Sequence, residues 1–223
     1  AISTGDFTDV IQVSARKNFA VGLKEDGTVV CTATIDACNV SKWKDIVMVA
    51  AGEKHTLGLK KDGTVECSGE TSSCAVEKWK DIDAVYAGNG ISVGVTSEGE
   101  VVSCGNNAPH SLASLTNVDS LAMGNSQVLV LYKNGACSSI SLDGNTASNV
   151  QGWSNIKQVA VGKDFAVGLK SDGTLMVDAK DGNLKKELES WRNIRFIASH
   201  ENYIVGFNTK GKRKGAGDNR YDQ

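Results

Sequence analysis

Proline is almost missing from this chain: Pro109 stands alone among 223 residues. That excludes polyproline linkers and proline-rich recognition segments. Neither charge dominates, with 24 Lys and Arg against 26 Asp and Glu. Such a balance lacks the positive field that draws polyanions, so no nucleic-acid partner is expected. No apolar run approaches the ~18 residues a membrane helix needs, so no membrane span is expected either. No signal-peptide pattern opens at Ala1, and a start on Ala in place of Met reads as a processed or excised piece. Catalytic signatures are also missing. There is no phosphate-cradling G-x-x-x-x-G-K-[ST] loop, no G-x-S-x-G nucleophile elbow, and no short-spaced His/Cys set for zinc. His55, His110 and His200 fall at unrelated places, and His55 reads as a core or loop-bracing residue. No catalytic residue, metal ligand or cofactor is therefore assigned, and the chain is expected not to be an enzyme.

What the chain does have is glycine, 24 in all, and a repeat built on it. Four segments read VGLKEDGT, LGLKKDGT, VGVTSEGE and VGLKSDGT, and two worn copies read LVLYKNGA and VGFNTKGK. Their turn glycines are Gly27, Gly63, Gly99, Gly135, Gly173 and Gly211, spaced 36, 36, 36, 38 and 38 residues apart. A period in this range marks a repeat architecture. A second ladder has the same period: Trp43, Trp79, Trp153 and Trp191 precede KDI, KDI, SNI and RNI. Leu115 fills the missing Trp slot, and Phe7 lies one period before Trp43. Tryptophans that share one position are expected to pack between repeats.

Within a unit the pattern is strand-like. Residues 46–51, IVMVAA, are a continuous apolar run ended by Gly52, as in a strand buried on both faces. A second run, 56–59, meets a third, 64–67, across Lys60-Lys61-Asp62-Gly63, where a primed hairpin turn is expected. Residues 74–79 form a possible fourth strand. Helical periodicity is confined to a short turn in 184–191, where the extra residues of that repeat fit. Three to four strands per unit describe a propeller blade. The expected fold is an all-β, closed β-propeller of six blades forming one domain over residues 1–223. Its units are 7–43, 44–79, 80–115, 116–153, 154–191, and 192–223 completed by 1–6. Closure by the N-terminal segment would leave no free sheet edge.

The segments WKDIVMVAAGEKHTLGLKKDGTVECSGE and WSNIKQVAVGKDFAVGLKSDGT resemble the regulator of chromosome condensation repeat, most of all its short bacterial version. The resemblance runs through essentially the whole chain. It implies a propeller of usually seven blades, so six means a six-bladed variant or a blade outside the chain. The family's His survives only as His55; Phe19, Ile91, Gln127, Phe165 and Tyr203 replace it elsewhere. The Gly before it is Arg16 in the first unit and His200 in the last. The resemblance implies binding in place of catalysis. The eukaryotic founder is an exchange factor for a small GTPase that also docks on chromatin. Some bacterial members inhibit β-lactamases through aromatics after the Ala-Gly of each blade, but those positions are polar here.

Cys31/Cys38 and Cys67/Cys74 repeat at one pair of positions, seven residues apart. Disulfides within a blade and buried thiols both fit that spacing. The resemblance adds that the second position often holds an unpaired Cys. Cys104 and Cys137 have no evident mate. The compartment stays open, with the cytoplasm ahead of a cell-surface setting. The basic run 210–214 reads as a solvated hairpin tip.

The residues that fail to recur are the candidate binding surface, in the loops after each first strand. The first unit offers Arg16, Lys17 and Asn18, the second Glu53 and Lys54, and the third Asn89. The fourth offers Asn125 and Ser126, the fifth Lys163 and Asp164, and the sixth Glu201, Asn202 and Tyr203. Their polarity suits hydrogen bonding and charge matching to a protein surface, with the chain itself expected to be a monomeric scaffold. A glycan is the second candidate ligand. It would need aromatic platforms, for which only Tyr203 and the Phe19/Phe165 slot come close. A propeller-fold enzyme or an enzyme-inhibitor protein ranks lower.

Overall fold

The structure is a computed structural model that describes residues 7–144 and 147–218. It contains six three-stranded antiparallel sheets, one per repeat, and the chain divides into two compact units after Thr116. The first unit holds three blades. These are β1 (Val10–Arg16), β2 (Phe19–Lys24) and β3 (Val29–Cys31); β4 (Ile46–Ala51), β5 (His55–Lys60) and β6 (Val65–Gly69); and β7 (Ile82–Ala87), β8 (Ser92–Thr96) and β9 (Val101–Cys104). The second unit holds β10 (Val118–Met123), β11 (Gln127–Tyr132) and β12 (Cys137–Ser141); β13 (Ile156–Val161), β14 (Phe165–Lys170) and β15 (Leu175–Ala179); and β16 (Ile194–His200), β17 (Tyr203–Asn208) and β18 (Arg213–Gly217). One helix, α1 (Gly182–Glu189), falls where the repeat lengthens. Closure of the ring through residues 1–6 lies outside the described residues.

Among the described residues each blade has three strands and no fourth. After the third strand come short 3-10 turns over 36–38, 71–74 and 112–114. The amides of Trp43, Trp79 and Trp153 then donate to Val40, Val76 and Val150, three residues back. A chain bonding to itself at that spacing is turned and cannot add to a ladder.

The hairpin tips also differ from the expected primed turn. Gly27 N–H donates to Lys24 O at 3.0 Å, and among residues 25–27 only Gly27 has positive φ, at 78°. This is a type I turn followed by a left-handed glycine, which needs only one such residue. The Asp of the tip closes it: Asp26 Oδ1 accepts from Thr28 N–H and Oγ1, as Asp62 does from Thr64 and Asp172 from Thr174.

Two features join consecutive blades within each unit. The turn glycine carbonyl accepts the amide of the next first strand: Ile46 from Gly27, Ile82 from Gly63, Ile156 from Gly135 and Ile194 from Gly173, all at 3.0–3.1 Å. The residue before each Ile or Val has φ near 57°, at Asp9, Asp45, Asp81, Asn117, Asn155 and Asn193. That explains the D/N of the motif, since Asp and Asn tolerate the left-handed region. Beside this clasp lies the tryptophan. A Cβ on Gly58 would come within 2.7 Å of Trp43 ring carbons, and one on Gly94, Gly168 or Gly206 within 2.6–3.0 Å of Trp79, Trp153 or Trp191. Phe7 covers Gly22 in the same way, as its place in the ladder predicts. All four tryptophans are buried.

Both cysteine pairs are disulfides, Cys31–Cys38 and Cys67–Cys74, with Cα–Cα distances of 5.5 and 5.3 Å. Each ties a third strand to the 3-10 turn after it. Cys104 and Cys137 are free, and burial pushes the Cys137 thiol up to about 11, which leaves it unreactive near neutral pH.

Two outcomes are expected. Gly58→Val should cost about 1–3 kcal/mol by crowding Trp43. Adding Trp43→Leu, the combination the chain itself carries as Leu115 and Val130, should recover part of that in urea titrations. Replacing Cys31 and Cys38 together by Ser should cost about 2 kcal/mol from loop entropy. Peptide mapping without reductant should recover both linkages.

Candidate functional site: the loops after each first strand

All the sequence-predicted binding residues lie in or beside the hairpin loops between first and second strands. In blades two to five a glycine starts the loop, and its amide bonds the carbonyl three residues on, as Gly52 does to His55 at 2.8 Å. Blades one and six lack that glycine. Their ladders run one pair further, to Arg16↔Phe19 and His200↔Tyr203. Lys17 and Glu201 then turn the chain at φ 47° and 46°.

In the first unit, Lys17 Nζ forms an ion pair with Glu53 across adjacent blades. That hydrogen bond, opposed by slight desolvation, holds the Glu53 carboxyl below its ordinary range. Asn107 Nδ2 donates to Asn89 O at 3.0 Å, bracing the third blade's loop. Lys54 and Asn18 are exposed.

In the second unit the loops converge further. Asn125 Nδ2 reaches Glu201 Oε1 at 3.4 Å, from the fourth blade to the sixth. Lys163 N–H donates to Glu201 O at 2.7 Å, and Ser126 O accepts from Leu142 N–H at 2.7 Å. Asp164 pairs with Lys180 at 2.6 Å. Asp164 and Asn202 are walls of an open cleft of about 480 Å³, completed by Asp181, Asn183, Leu184 and Glu187 of the α1 region and by Asp218. The buried ring of Phe165 forms its base. Four carboxylates line this cleft. Tyr203 turns elsewhere: its hydroxyl lies against Gly215 on the sheet face.

Sequence reasoning missed the α1 contribution. The available signal was Asp181-Gly182-Asn183 at the start of the two-residue insertion, an N-cap whose Oδ1 accepts from Asn183 N–H at 2.8 Å. The glycan platforms fare worse than expected, because Phe19 and Phe165 are buried. The basic run forms an exposed tip, as expected, and Lys214 Nζ lies 5.9 Å from the centre of the Trp191 ring.

His55 braces the core instead of facing solvent. It is fully buried, with Nε2 2.9 Å from Ser92 Oγ, and Ser92 donates to Ser73 O at 2.5 Å. The serine proton is thus committed, so Nε2 carries the histidine proton. Nδ1 has no hydrogen-bond partner. Burial pushes the imidazole pKa down to about 4, with Arg16 adding to it and the Glu70 charge and Ile91 carbonyl opposing it.

No protein-family model matches the chain, and no curated protein matches it significantly in sequence. Solved structures do match. The CRINKLY WD40 ectodomain of the Arabidopsis thaliana receptor kinase ACR4 is 16% identical with a TM-score of 0.68, over 93% of this chain and 81% of that one. Human WBSCR16 is also 16% identical, with a TM-score of 0.71 over 94% and 76% of the two chains. Prp20p from Saccharomyces cerevisiae, the yeast RCC1, is 18% identical with a TM-score of 0.56, over 77% and 57%. The fold is an RCC1-like β-propeller. At these identities the likeness concerns fold alone. The resemblance to the short bacterial version of the repeat suggests a bacterial source, to which these eukaryotic neighbours lend no support.

The buried histidine sets a pH dependence. Its folded pKa lies below the ordinary 6.5, so as pH falls through 6.5 the unfolded chain takes up a proton first. Stability should therefore drop between pH 6.5 and about 4, by about 3 kcal/mol from this group. His55→Phe, the residue at the same position in two other blades, should flatten that part of a pH-dependent urea titration.

Proposed function

We propose that the chain is a non-enzymatic protein-interaction module whose contact surface is the set of loops after each first strand. One observation carries this reading. Among the positions that recur between repeats, the strand Gly, the Trp and the Ile are buried. The positions that vary are polar, and in the second unit they wall an open cleft. A propeller needs the first set to fold; the second set does no comparable work inside the blade. The carboxylates of Asp164, Asp181, Glu187 and Asp218 favour a protein partner that presents basic side chains, by charge complementarity. The yeast neighbour is described as binding Gsp1p and histones, which supports a protein as the class of ligand. Fold alone does not transfer that partner.

The test uses partners captured on the immobilised chain from extracts of its native cells and then titrated individually. The triple variant Asp164→Ala, Glu187→Ala, Asn202→Ala and the double variant Lys17→Ala, Glu53→Ala should both keep the parent melting temperature. At least one should lose about tenfold or more in affinity, the scale of a central contact. Unchanged affinity in both would remove the loop surface from consideration.

A further inference from the structure

One free thiol of the first unit stands against a disulfide. Cys104 ends β9, and its Sγ lies 3.4 Å from the carbonyl oxygen of Ser73. Cys67 Sγ, half of the Cys67–Cys74 bridge, lies 3.8 Å from the same oxygen. The backbone N–H of Ala75 also bonds the Cys104 sulfur. The residues before and after Cys74 therefore both touch Cys104, and three sulfurs gather around one short turn. All three cysteines are half-buried, so none is sealed in the core.

The repeat supplies a comparison. Cys104 stands opposite Ser92 on its ladder, as Ser68 stands opposite Thr56 in the second blade. Thr56 and Ser92 are equivalent, since each donates to the 3-10 turn of the preceding blade, at Ala37 O and Ser73 O. Ser68 Oγ donates to Asp36 O at 2.7 Å, in the turn that carries Cys38 of the other disulfide. A hydroxyl thus stands beside Cys31–Cys38 where a thiol stands beside Cys67–Cys74. Serine can only hydrogen-bond there. Cysteine can also react, because a thiolate attacks a disulfide sulfur with no further reagent.

We propose that Cys104 exchanges with the Cys67–Cys74 disulfide, moving that cross-link from within the second blade to its junction with the third. The Cys104 thiolate forms a bond to Cys74 Sγ. The Cys67–Cys74 bond breaks, and its electron pair leaves on Cys67 Sγ. The proton that Cys104 gives to solvent is regained by Cys67, so one thiol and one disulfide enter and one of each remains. The product, Cys74–Cys104, ties the turn after β6 to β9. Cys31–Cys38, with Ser68 beside it, keeps its pairing. The cysteine that has no evident mate in sequence thus meets a bridge already formed.

Burial raises the Cys104 pKa, with the Glu77 charge adding to it and the Ala75 N–H and Ser92 hydroxyl opposing it. His55, bonded to that hydroxyl, is neutral above pH 6. Exchange should therefore be slow at pH 6 and speed up about tenfold per pH unit above it. The full chain is incubated at pH 6 or pH 9, returned to pH 6, blocked with N-ethylmaleimide and mapped without reductant. After pH 9 the map should contain Cys74–Cys104 with Cys67 blocked, and Cys31–Cys38 should be intact. After pH 6 it should contain the original linkages. Cys104→Ser should keep Cys67–Cys74 at both pH values. Reach is tested separately in Cys67→Ser, where oxidised glutathione should close Cys74–Cys104. A parent that keeps Cys67–Cys74 and a blocked Cys104 after pH 9 overturns the proposal. So does a Cys67→Ser protein in which glutathione caps Cys74 and Cys104 separately, or exchange that scrambles Cys31–Cys38 equally.

Discussion

The contact of an indole ring with a bare backbone glycine is the constraint on which the blades depend. Tryptophan has the area to seal a blade face, but it can lie flat on a strand only where no side chain rises beneath it. Gly58, Gly94, Gly168 and Gly206 supply that flat floor. The floor also brings the connecting segment close enough for the turn-glycine carbonyl to receive the next blade's first amide. Where Trp gives way to Leu115, the strand glycine gives way to Val130, so ring and floor change together. Burial of one large side chain and satisfaction of one backbone donor are thus solved at the same place.

Much of this was legible in the chain itself, because a repeat multiplies weak local signals. The Gly period, the Trp ladder and the apolar first strands each pointed to blades. Phe7, one period before Trp43 in the ladder, covers Gly22 as the tryptophans cover their own glycines. Two details were not legible. The turn type depends on how many residues take positive φ, and an Asp-Gly pair fits either solution. The absent fourth strand depends on where amides such as that of Trp79 find acceptors, which residue types do not encode. The disulfides fall between these cases: spacing allowed them, and only the approach of the two backbones decided.

The candidate surface was legible in outline, since polar variability between equivalent loops is a sequence property. Its shape was not. Helix α1 contributes to the cleft where an Asp181 cap starts a helix in the connection after β15; the connection after β12 carries the same two extra residues and has no helix among the described residues. Length alone therefore does not reveal such an irregularity. The pairing of Lys17 with Glu53 and the reach of Asn125 to Glu201 likewise cross 36 and 76 residues, beyond any local pattern.

Among the described residues, both disulfides and the fully buried histidine fall before Thr116. The second unit has blades of the same build but neither kind of chemistry. The bonds that a reducing agent breaks and the histidine that burial holds neutral therefore both belong to the first unit. A repeat that is uniform in shape is, in this respect, two chemically different halves.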